Sequence, residues 1–503
     1  MELRPYQQNA LDAIRQHFAS GLKKVLLHMA TGGGKTLIFC QVLKGAHERG
    51  RRALMVVRGR KLVDQASRRL DREGVDHGVM MAGHWRRRPV LPIQIASIDT
   101  LYARRNKEKL PDFDLIVLDE AHYATSPSFL WLIEQYPDVF LLPVTATPHV
   151  KGGLQHIAEV VVYPISIKEL IEQNYLVPPV YYAPSKPNLG NVRIDRKTGD
   201  YRLDELSEAM QKTNLYGDMV KSYQKHASGL ATLLFCVDVK HSKAVCETFI
   251  SAGITAEHID AAMPEKERNE VIERLETGVT KVITNVGIFT TGVDIPCLRC
   301  IMLARPTKSY NLYIQILGRG TRLYPGKENF IVLDHADCVA EHGFIANERK
   351  CKLEGEAEVK QKPVTVTCQV CYHIWDPIEQ WERKNPDLFV QGKFGRDYIC
   401  EGRLGHEICG FDNQPVKVEV VESQRKAVVD EEYELTKVDE HGENVNESNV
   451  KLRIRALVDM AVSRGYAKPA GWVYHQIKMD KKFGGVVANQ SYKFIHKVCK
   501  EYV

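Results

Sequence analysis

The sequence predicts an α/β protein with two tandem parallel-sheet lobes, followed by a small cysteine-rich module and a short helical unit. Two observations carry this fold class. Short β-branched runs alternate with amphipathic segments through roughly the first two thirds of the chain, and four cysteines cluster after them. A chain of 503 residues is also too long for one hydrophobic core, so several domains are expected.

The runs that predict strands are short, aliphatic and bounded by polar segments. They are Val25–Met29, Ala53–Val57, Leu115–Asp119, Val139–Pro143, Leu233–Val237, Lys281–Thr284 and Phe330–Asp334. Between them, Leu62–Leu70 and Glu265–Leu275 have the periodicity of amphipathic helices, and Pro264 suits the start of the second helix. Such alternation is typical of parallel sheets with helices on both faces.

Changes in composition divide the chain into six segments. A stretch rich in proline and glycine separates the lobes, and an acidic run after the cysteines predicts a solvated linker. The predicted boundaries are 1–162 for the first lobe, 163–215 for a connector, 216–349 for the second lobe, 363–415 for the cysteine module, 416–449 for the acidic linker and 450–503 for a helical unit.

Hydropathy and charge narrow the class of protein. No apolar run approaches the roughly 20 residues that cross a bilayer, and the N-terminus lacks the apolar core of a signal peptide. We therefore expect a cytoplasmic protein without membrane contact. The net charge is +6, and clustered basic residues in the first lobe favour a polyanionic partner, with solvated helix faces as the alternative. They are Arg51, Arg52, Arg58, Arg60, Lys61, Arg68, Arg69, Arg86, Arg87, Arg88, Arg104 and Arg105.

A phosphate-binding loop follows the first predicted strand and precedes a helical stretch. Glycines let backbone N–H groups turn toward phosphates, and the helix N-terminus favours negative charge. Lys35 would bridge the β- and γ-phosphates of ATP, and Thr36 would ligand Mg²⁺. The residues expected to bind the nucleotide here are Thr31, Gly32, Gly33, Gly34, Lys35 and Thr36.

Two adjacent carboxylates form the second phosphate element. Asp119 and Glu120 begin the tetrapeptide Asp-Glu-Ala-His at the end of an apolar run. We assign Asp119 to the Mg²⁺ shell and Glu120 to the general base that polarises the attacking water. His122 is expected to connect this element to the next motif.

The motifs together resemble those of superfamily 2 helicases of the DEAH-box type. The loop, the Asp119–His122 box and Thr145-Ala146-Thr147-Pro148 occur in that superfamily's order and spacing. The resemblance implies two RecA-like lobes and an ATPase stimulated by nucleic acid. It also implies that Arg4 and Gln7 bind the adenine, and that Thr145 and Thr147 couple hydrolysis to lobe movement.

The same resemblance implies nucleic-acid contacts in the first lobe. Arg58, Arg60, Gln65, Ser97 and Thr100 match positions that touch the nucleic-acid backbone in superfamily 2. A serine or threonine hydroxyl suits phosphate contact without sequence specificity. The alternative is that these residues cap helices or stabilise turns.

In the second lobe, residues 290–296 and 315–322 resemble the fifth and sixth helicase motifs. The resemblance assigns Thr290 to nucleic acid, and Gly292 and Asp294 to the ribose or to lobe coupling. Arg322, with Arg319 beside it, is expected to stabilise charge on the γ-phosphate, an effect of roughly 10³ to 10⁵ in rate. Both arginines are predicted on one helix face at i and i+3, and a surface salt-bridge pair is the alternative.

Cys368, Cys371, Cys400 and Cys409 predict a structural Zn²⁺ site. The first pair is a tight two-residue knuckle, whereas the second is wide, and His373 or His406 could replace a thiolate. Buried free thiols are the alternative. The nearby Tyr372, Trp375, Trp381 and Phe394 favour a small module core over base stacking.

Six other cysteines are expected to be small core hydrophobes: Cys40, Cys236, Cys246, Cys297, Cys300 and Cys338.

A superfamily 2 motor followed by such a module resembles the RadD family of bacterial helicase-like ATPases, and the tail resembles those of phage and bacterial helicases. The resemblance implies single-stranded or branched DNA as substrate in repair or recombination, with single-strand-binding or recombination proteins as partners. Three alternatives stay open: an RNA helicase, an ATP-switched binding scaffold that does not step, and the motor of a restriction system. No nuclease carboxylate cluster follows the motor, which disfavours a self-contained nuclease.

Overall fold

The structure, a computed structural model, describes residues 3–413 apart from 108, 151, 185–186, 196–197, 212–214, 291–293, 348–350, 352, 355–364, 387–395, 405–406 and 411–412. The acidic linker and the C-terminal unit predicted from the sequence therefore lie outside the described residues. Within the described ranges, no helix has the length and apolar character needed to span a membrane.

The first lobe is a seven-stranded parallel sheet flanked by helices. Its strands are β1 (Val25–His28), β2 (Ala53–Val57), β3 (Gly78–Met80), β4 (Ile93–Ser97), β5 (Leu115–Asp119), β6 (Phe140–Thr145) and β7 (Val160–Val162). Their order is β3-β4-β2-β5-β6-β1-β7. Its helices are α1 (Pro5–Ala19), α2 (Lys35–Glu48), α3 (Arg60–Arg72), α4 (Ile98–Ala103) and α5 (Pro127–Glu134).

The second lobe repeats this arrangement with six parallel strands. They are β8 (Pro179–Tyr182), β9 (Thr232–Cys236), β10 (Ala256–Ile259), β11 (Val282–Asn285), β12 (Cys300–Ala304) and β13 (Phe330–Asp334), in the order β10-β11-β9-β12-β13-β8. Helix α6 (Ile167–Glu172) lies in the predicted connector, and its Leu170 is buried in the core of the first lobe. The helices of the second lobe are α7 (Leu203–Gln211), α8 (Leu215–His226), α9 (Val239–Ser251), α10 (Glu265–Glu276), α11 (Tyr310–Leu317) and α12 (Cys338–His342). Two parallel-sheet α/β lobes confirm the predicted fold class.

The strands form where the sequence is continuously apolar because helices cover both sheet faces. Every residue of β1, β2 and β4 is buried, as is every residue of β9 and β12. The six scattered cysteines are buried, as expected of small core hydrophobes. The carboxyl ends of these strands position the motifs.

The segment predicted as a connector contributes directly to the second lobe. Its strand β8 pairs with β13 in parallel at the sheet edge. Pro179 begins this strand, and an edge tolerates proline because one side of the strand needs no ladder hydrogen bond. Proline content alone therefore does not separate a linker from an edge strand.

In the residues that the structure describes, the cysteine module consists of two short hairpins and one helix. The strands are β14 (Val366–Thr367), β15 (Ile374–Trp375), β16 (Arg403–Leu404) and β17 (Glu407–Ile408), with α13 (Pro377–Lys384) between the hairpins. The module packs on the edge strand β8: the Tyr372 carbonyl accepts a 2.8 Å hydrogen bond from the Ala183 N–H, and Tyr182 forms a bridge with His373.

Candidate nucleotide-binding site

The phosphate loop joins β1 to α2 in the geometry that the sequence predicts. Gly32 and Gly34 have φ of 84° and 91°, values that disfavour any residue with a side chain. Lys35 is the first residue of α2, and its Nζ donates to the Met29 carbonyl at 3.2 Å. The ammonium thus lies across the loop that would surround the phosphates. Thr36 follows on the exposed side of the same helical turn.

The N-terminal segment forms hydrogen bonds to the backbone of this loop. The Tyr6 hydroxyl donates to the Gly33 carbonyl at 2.9 Å, and Gln7 Nε2 donates to the same oxygen at 3.1 Å. Gln7 Oε1 accepts from the Arg4 N–H at 3.0 Å. The structure places Gln7 against the phosphate loop, and its adenine contact stays a prediction. Sequence reasoning assigned no role to Tyr6.

The connector supplies a second wall that the sequence did not predict. Tyr175 lies under the Arg4 guanidinium, 4.2 Å from carbon to ring centroid, and its ring is 5.5 Å from that of Tyr6. A Cβ placed on Gly32 would lie 2.8 Å from Leu176 Cδ2. An aromatic and an aliphatic side chain therefore border the nucleotide loop beside Arg4.

The two carboxylates at the end of β5 have opposite protonation tendencies. Burial and the neighbouring Glu120 charge raise the pKa of Asp119 to about 7, and Lys35 opposes the rise. Burial also raises the pKa of Glu120, but the contact with His122 and the Lys35 charge outweigh it and lower the value to about 2. Glu120 also has φ of 53°, so its backbone is in the left-handed region. Glu120 is therefore a carboxylate at neutral pH.

His122 contacts three of the predicted motifs. Its Nδ1 lies 3.3 Å from Glu120 Oε2 and 3.3 Å from Thr145 Oγ1. The Thr147 hydroxyl is 3.4 Å from the same nitrogen. On the other side of the ring, Nε2 is 3.3 Å from Gln315 Nε2 of the second lobe. The predicted connection from the carboxylates to the threonine motif is present, and the coupling role stays a prediction.

The second lobe closes over the loop through the turn that follows α11. A Cβ placed on Gly318 would lie 2.8 Å from the Cβ of Thr31. Asn311 Nδ2 of the second lobe donates to the His149 carbonyl of the first lobe at 2.8 Å. The lobes are thus in contact around the phosphate loop.

The placement of Arg319 and Arg322 on a helix is wrong. Helix α11 ends at Leu317, and the chain tightens into a turn in which the Arg319 and Gly320 N–H groups bond to carbonyls three residues back. A Cβ on Gly320 would overlap the Phe330 ring, so glycine is needed there. Both arginines therefore lie on the turn that faces the first lobe.

The two arginines have different surroundings. Arg319 is 8% exposed, and burial together with Arg322 lowers its pKa to about 10, while the Glu120 charge opposes the shift. Arg322 forms an ion pair with Asp294, whose side chain is 64% exposed. Both arginines lie in the electrostatic field of Lys35, Arg319 also lies in that of Glu120, and Arg322 is paired with Asp294. Gly292 and the side chain of Thr290 lie outside the described residues.

The predicted nucleic-acid residues cluster at the carboxyl ends of β2 and β4. Arg58 lies over the Tyr123 ring, 5.2 Å from its centroid, and its Nε is 4.0 Å from Asp99. Arg60 Nη2 donates to the Ala82 carbonyl at 3.0 Å, and Thr100 Oγ1 accepts from the Ala82 N–H at 3.5 Å. Ser97 is buried at the N-cap position of α4, but its side chain makes no capping hydrogen bond.

The clustered arginines of the first lobe do not form one surface. Arg51 and Arg52 precede β2, whereas Arg58 and Arg60 follow it, and five residues of strand span about 17 Å. Arg51 and Arg69 also form ion pairs with Asp114 and Glu73. Only the arginines at the carboxyl ends of the strands lie near the predicted nucleic-acid contacts.

The four predicted cysteines converge in the module. The sulfurs of Cys368, Cys371, Cys400 and Cys409 lie within 4.8 Å of one another. Zn–S bonds of about 2.3 Å in a tetrahedron require sulfur separations of about 3.8 Å. The measured Cys368–Cys409 and Cys371–Cys400 distances are 3.8 and 3.4 Å. The donor set therefore fits a closed four-thiolate site.

The wide second cysteine pair is brought together by a hairpin. The Cys409 N–H donates to the Gly402 carbonyl at 2.7 Å, and the Gly410 N–H donates to the Cys400 carbonyl at 3.0 Å. His373 stacks on Trp375 with ring centroids 5.5 Å apart, and its Nδ1 lies 3.9 Å from Cys400 Sγ. His406, Phe394 and the Trp381 side chain lie outside the described residues.

Comparison with known proteins agrees with the geometry. Residues 1–150 match the family model described as type III restriction enzyme, res subunit, and residues 211–324 match the helicase conserved C-terminal domain. A 51.5 kDa protein of Lactococcus phage (isolate 7-9) is 27% identical over 433 residues, covering 85% of this chain and 84% of the relative. The Saccharomyces cerevisiae protein named "Putative ATP-dependent helicase IRC3" is 30% identical over 353 residues, or 66% of this chain.

The chain spans only 51% of the length of the yeast protein. Among solved structures, the ATP-dependent type ISP restriction-modification enzyme LlaBIII bound to DNA has a TM-score of 0.53 at 18% identity. That match covers 66% of this chain and 28% of the enzyme, and it shows a shared fold.

Proposed function

We propose that this chain, which belongs to superfamily 2 of the helicases, hydrolyses ATP between its lobes and uses the cycle to move along nucleic acid. The observation that carries the proposal is the contact between the phosphate loop and the Gly318–Arg322 turn. Phosphate-binding groups come from one lobe and arginines from the other, so one nucleotide would contact both.

Each residue of the cleft has a role that suits its surroundings. Lys35 and the loop N–H groups would hold the phosphates, and Thr36 and Asp119 would hold Mg²⁺, which neutralises phosphate charge when bound. Glu120 is ionised at neutral pH and would accept a proton from the attacking water. Arg319 is buried beside it and would stabilise negative charge that develops on the γ-phosphate.

Closure of the cleft gives the cycle a mechanical output. ATP favours the closed arrangement because its phosphates contact both lobes, and loss of the γ-phosphate weakens that bridge. His122 links Glu120 to Thr145 and to Gln315, so a change at the carboxylate reaches both lobes through one ring. A strand gripped by both lobes would then advance with each cycle.

DNA is the polymer that we propose, in single-stranded or branched form and in repair or recombination. The first lobe matches a family model described as a restriction enzyme subunit, and restriction enzymes act on DNA. The resemblance to RadD supports the same choice. An RNA strand remains the alternative outcome of the test, because contacts to phosphates do not depend on the sugar.

Movement along a strand can be tested by displacement of streptavidin from a biotinylated end. We expect ATP-dependent displacement from single-stranded DNA, and none with Glu120→Gln, which should still bind ATP. If ATP is hydrolysed but streptavidin is not displaced from either end of DNA or RNA, the proposal of translocation would be wrong. An ATP-switched scaffold would then be the favoured function.

We also propose that the four cysteines bind structural Zn²⁺, which would hold the two hairpins together. The fit of the sulfur distances supports this proposal. Atomic absorption of protein purified without added metal should give one zinc per chain, and Cys371→Ser should lower it. The control is Cys351→Ser, since Cys351 is outside the cluster. A zinc content near zero in the parent protein would contradict the site.

A further inference from the structure

A loop between β3 and β4 exposes a tryptophan beside consecutive arginines. We call residues 82–91 the tryptophan loop. Trp85 is 77% exposed, and Arg86, Arg87 and Arg88 follow it directly. A single exposed apolar residue is ordinary on a protein surface. The anchoring of this loop and its position distinguish it from such residues.

Hydrogen bonds on both sides of Trp85 fix the loop. The ring of His84 is buried, and its Nε2 lies 3.1 Å from Asp64 Oδ1 of α3. Gln94 Nε2, from β4, donates to the Arg88 carbonyl at 2.9 Å. The indole is therefore presented by a fixed backbone, and binding would cost little ordering of the loop.

A cation lies against the indole from within the protein. The Arg86 guanidinium carbon is 4.8 Å from the centroid of the Trp85 ring system. Arg86 is itself held by an ion pair with Asp71 and by His77, whose Nε2 is 2.9 Å from Arg86 Nη1. The ring is thus supported by a fixed guanidinium while most of its surface stays open to solvent.

The tryptophan loop begins at the predicted phosphate contacts. Ala82 accepts a hydrogen bond from Arg60 at 3.0 Å and donates one to Thr100 at 3.5 Å. Trp85 is three positions beyond Ala82 in the sequence, a distance of at most about 10 Å. A strand whose phosphates pass along Arg60 and Thr100 would bring its bases within reach of the indole.

We propose that Trp85 stacks on an unpaired base of the bound strand and so makes the first lobe recognise bases as well as phosphates. The inference rests on the proposed function, because it needs a strand at Arg60 and Thr100. Stacking on an aromatic ring suits every base, so the contact would add affinity without sequence preference. It would also disfavour fully paired duplex, whose bases are not accessible.

The test compares a strand that has bases with one that lacks them. Fluorescence anisotropy would measure binding of labelled oligothymidylate, and of an abasic strand of equal length, to the parent, Trp85→Ala, Trp85→Phe and Arg60→Ala. We expect Trp85→Ala to weaken oligothymidylate binding by roughly 5- to 100-fold and to leave abasic-strand binding unchanged. Trp85→Phe should recover most of the loss, and Arg60→Ala should weaken both strands.

ATP turnover without nucleic acid should be the same in Trp85→Ala and the parent, which shows that the variant is folded. Equal oligothymidylate binding by the parent and Trp85→Ala would overturn the stacking proposal and leave the motor intact. An equal loss on both strands would also overturn it. A parent protein that binds neither DNA nor RNA would instead contradict the proposed function on which this inference rests.

Discussion

Glu120 is the residue on which hydrolysis depends most directly: although burial opposes the shift, the contact with His122 and the Lys35 charge lower its pKa, so its carboxylate is ionised at neutral pH. Glu120→Gln keeps the shape and the Thr145–His122 contact but removes the proton acceptor. We expect kcat to fall by at least roughly 100-fold, with ATP affinity close to that of the parent. Stopped-flow measurement of a fluorescent ATP analogue, together with steady-state turnover, would check both. Retained turnover would remove Glu120 from the role of base.

The roles of Arg319 and Arg322 can be distinguished because the two side chains have different surroundings. Arg319 is buried near Glu120, whereas Arg322 is paired with Asp294. We expect Arg319→Ala to lower kcat by roughly 10³ while ATP still binds, as for loss of a γ-phosphate arginine. Arg322→Ala should lower kcat as well and should also free Asp294.

Arg274→Ala is the matched control for this pair, since Arg274 bonds to Glu257 on β10 rather than facing the cleft. Turnover should be unchanged in that variant. An Arg319→Ala enzyme with the parent's kcat would show that Arg322 alone acts on the phosphate.

At the scale of elements, the turn after α11 can approach the phosphate loop only because Gly318 has no side chain. A Cβ on Gly318 would meet the Cβ of Thr31 at 2.8 Å and the Ile314 carbonyl at 3.0 Å. Gly318→Ala should therefore keep the lobes apart and lower kcat at saturating ATP by about tenfold or more, the effect of roughly 1.4 kcal/mol. Thermal unfolding should change little in comparison.

Gly190→Ala is the control for this prediction, because a Cβ there meets only Asn188 Oδ1 at 3.5 Å, an ordinary contact. It should leave both turnover and thermal stability unchanged. Full activity of Gly318→Ala would mean that the lobes do not need this contact during hydrolysis.

The elements also show what a sequence can predict. Strands such as β2, β5 and β13 have the predicted bounds because continuous apolar runs between polar segments have one favourable location, the centre of a covered sheet. The phosphate loop and the Asp119–Glu120 pair follow from such strands, since motifs at strand ends meet at one sheet edge. These parts depend on local sequence and common topology.

Other features depend on contacts between distant segments. Just beyond the end of α11 at Leu317, Gly318 lies against Thr31 and Gly320 lies against Phe330. The Cys400–Cys409 pair closes through a hairpin that no short spacing rule predicts. Tyr175 and Leu176 reach the nucleotide loop from a segment predicted only as a connector. No local pattern contains this information.

For the whole molecule, buried neutral histidines predict acid sensitivity. Burial lowers the pKa of His335 from 6.5 to about 3, and its Nε2 is 2.8 Å from the Ser222 hydroxyl. Because its pKa is lowered in the folded state, the neutral His335 ring contributes fully to the free energy of unfolding above pH 6.5, the ordinary pKa of histidine. That contribution is lost as the pH falls from about 6.5 toward 3, because the unfolded state binds the proton first.

Calorimetric Tm values at pH 7.5 and pH 5 should therefore show a lower Tm at pH 5. His335→Gln should reduce this difference, since glutamine cannot take up the proton. The exposed His47→Gln is the control and should leave the difference as in the parent. A parent Tm that is higher at pH 5 than at pH 7.5 would contradict the predicted loss of stability in acid.

The most direct test of the whole account is the steady-state ATP hydrolysis rate with no nucleic acid, single-stranded DNA, forked DNA, duplex DNA and RNA, each at two salt concentrations. We expect strong stimulation by single-stranded or forked DNA that weakens as salt rises, because phosphate contacts release counterions. Lys35→Ala should show no turnover under any condition. Stimulation by RNA alone would change the substrate, and turnover that none of these polymers alters would contradict the claim that this ATPase is a nucleic-acid motor.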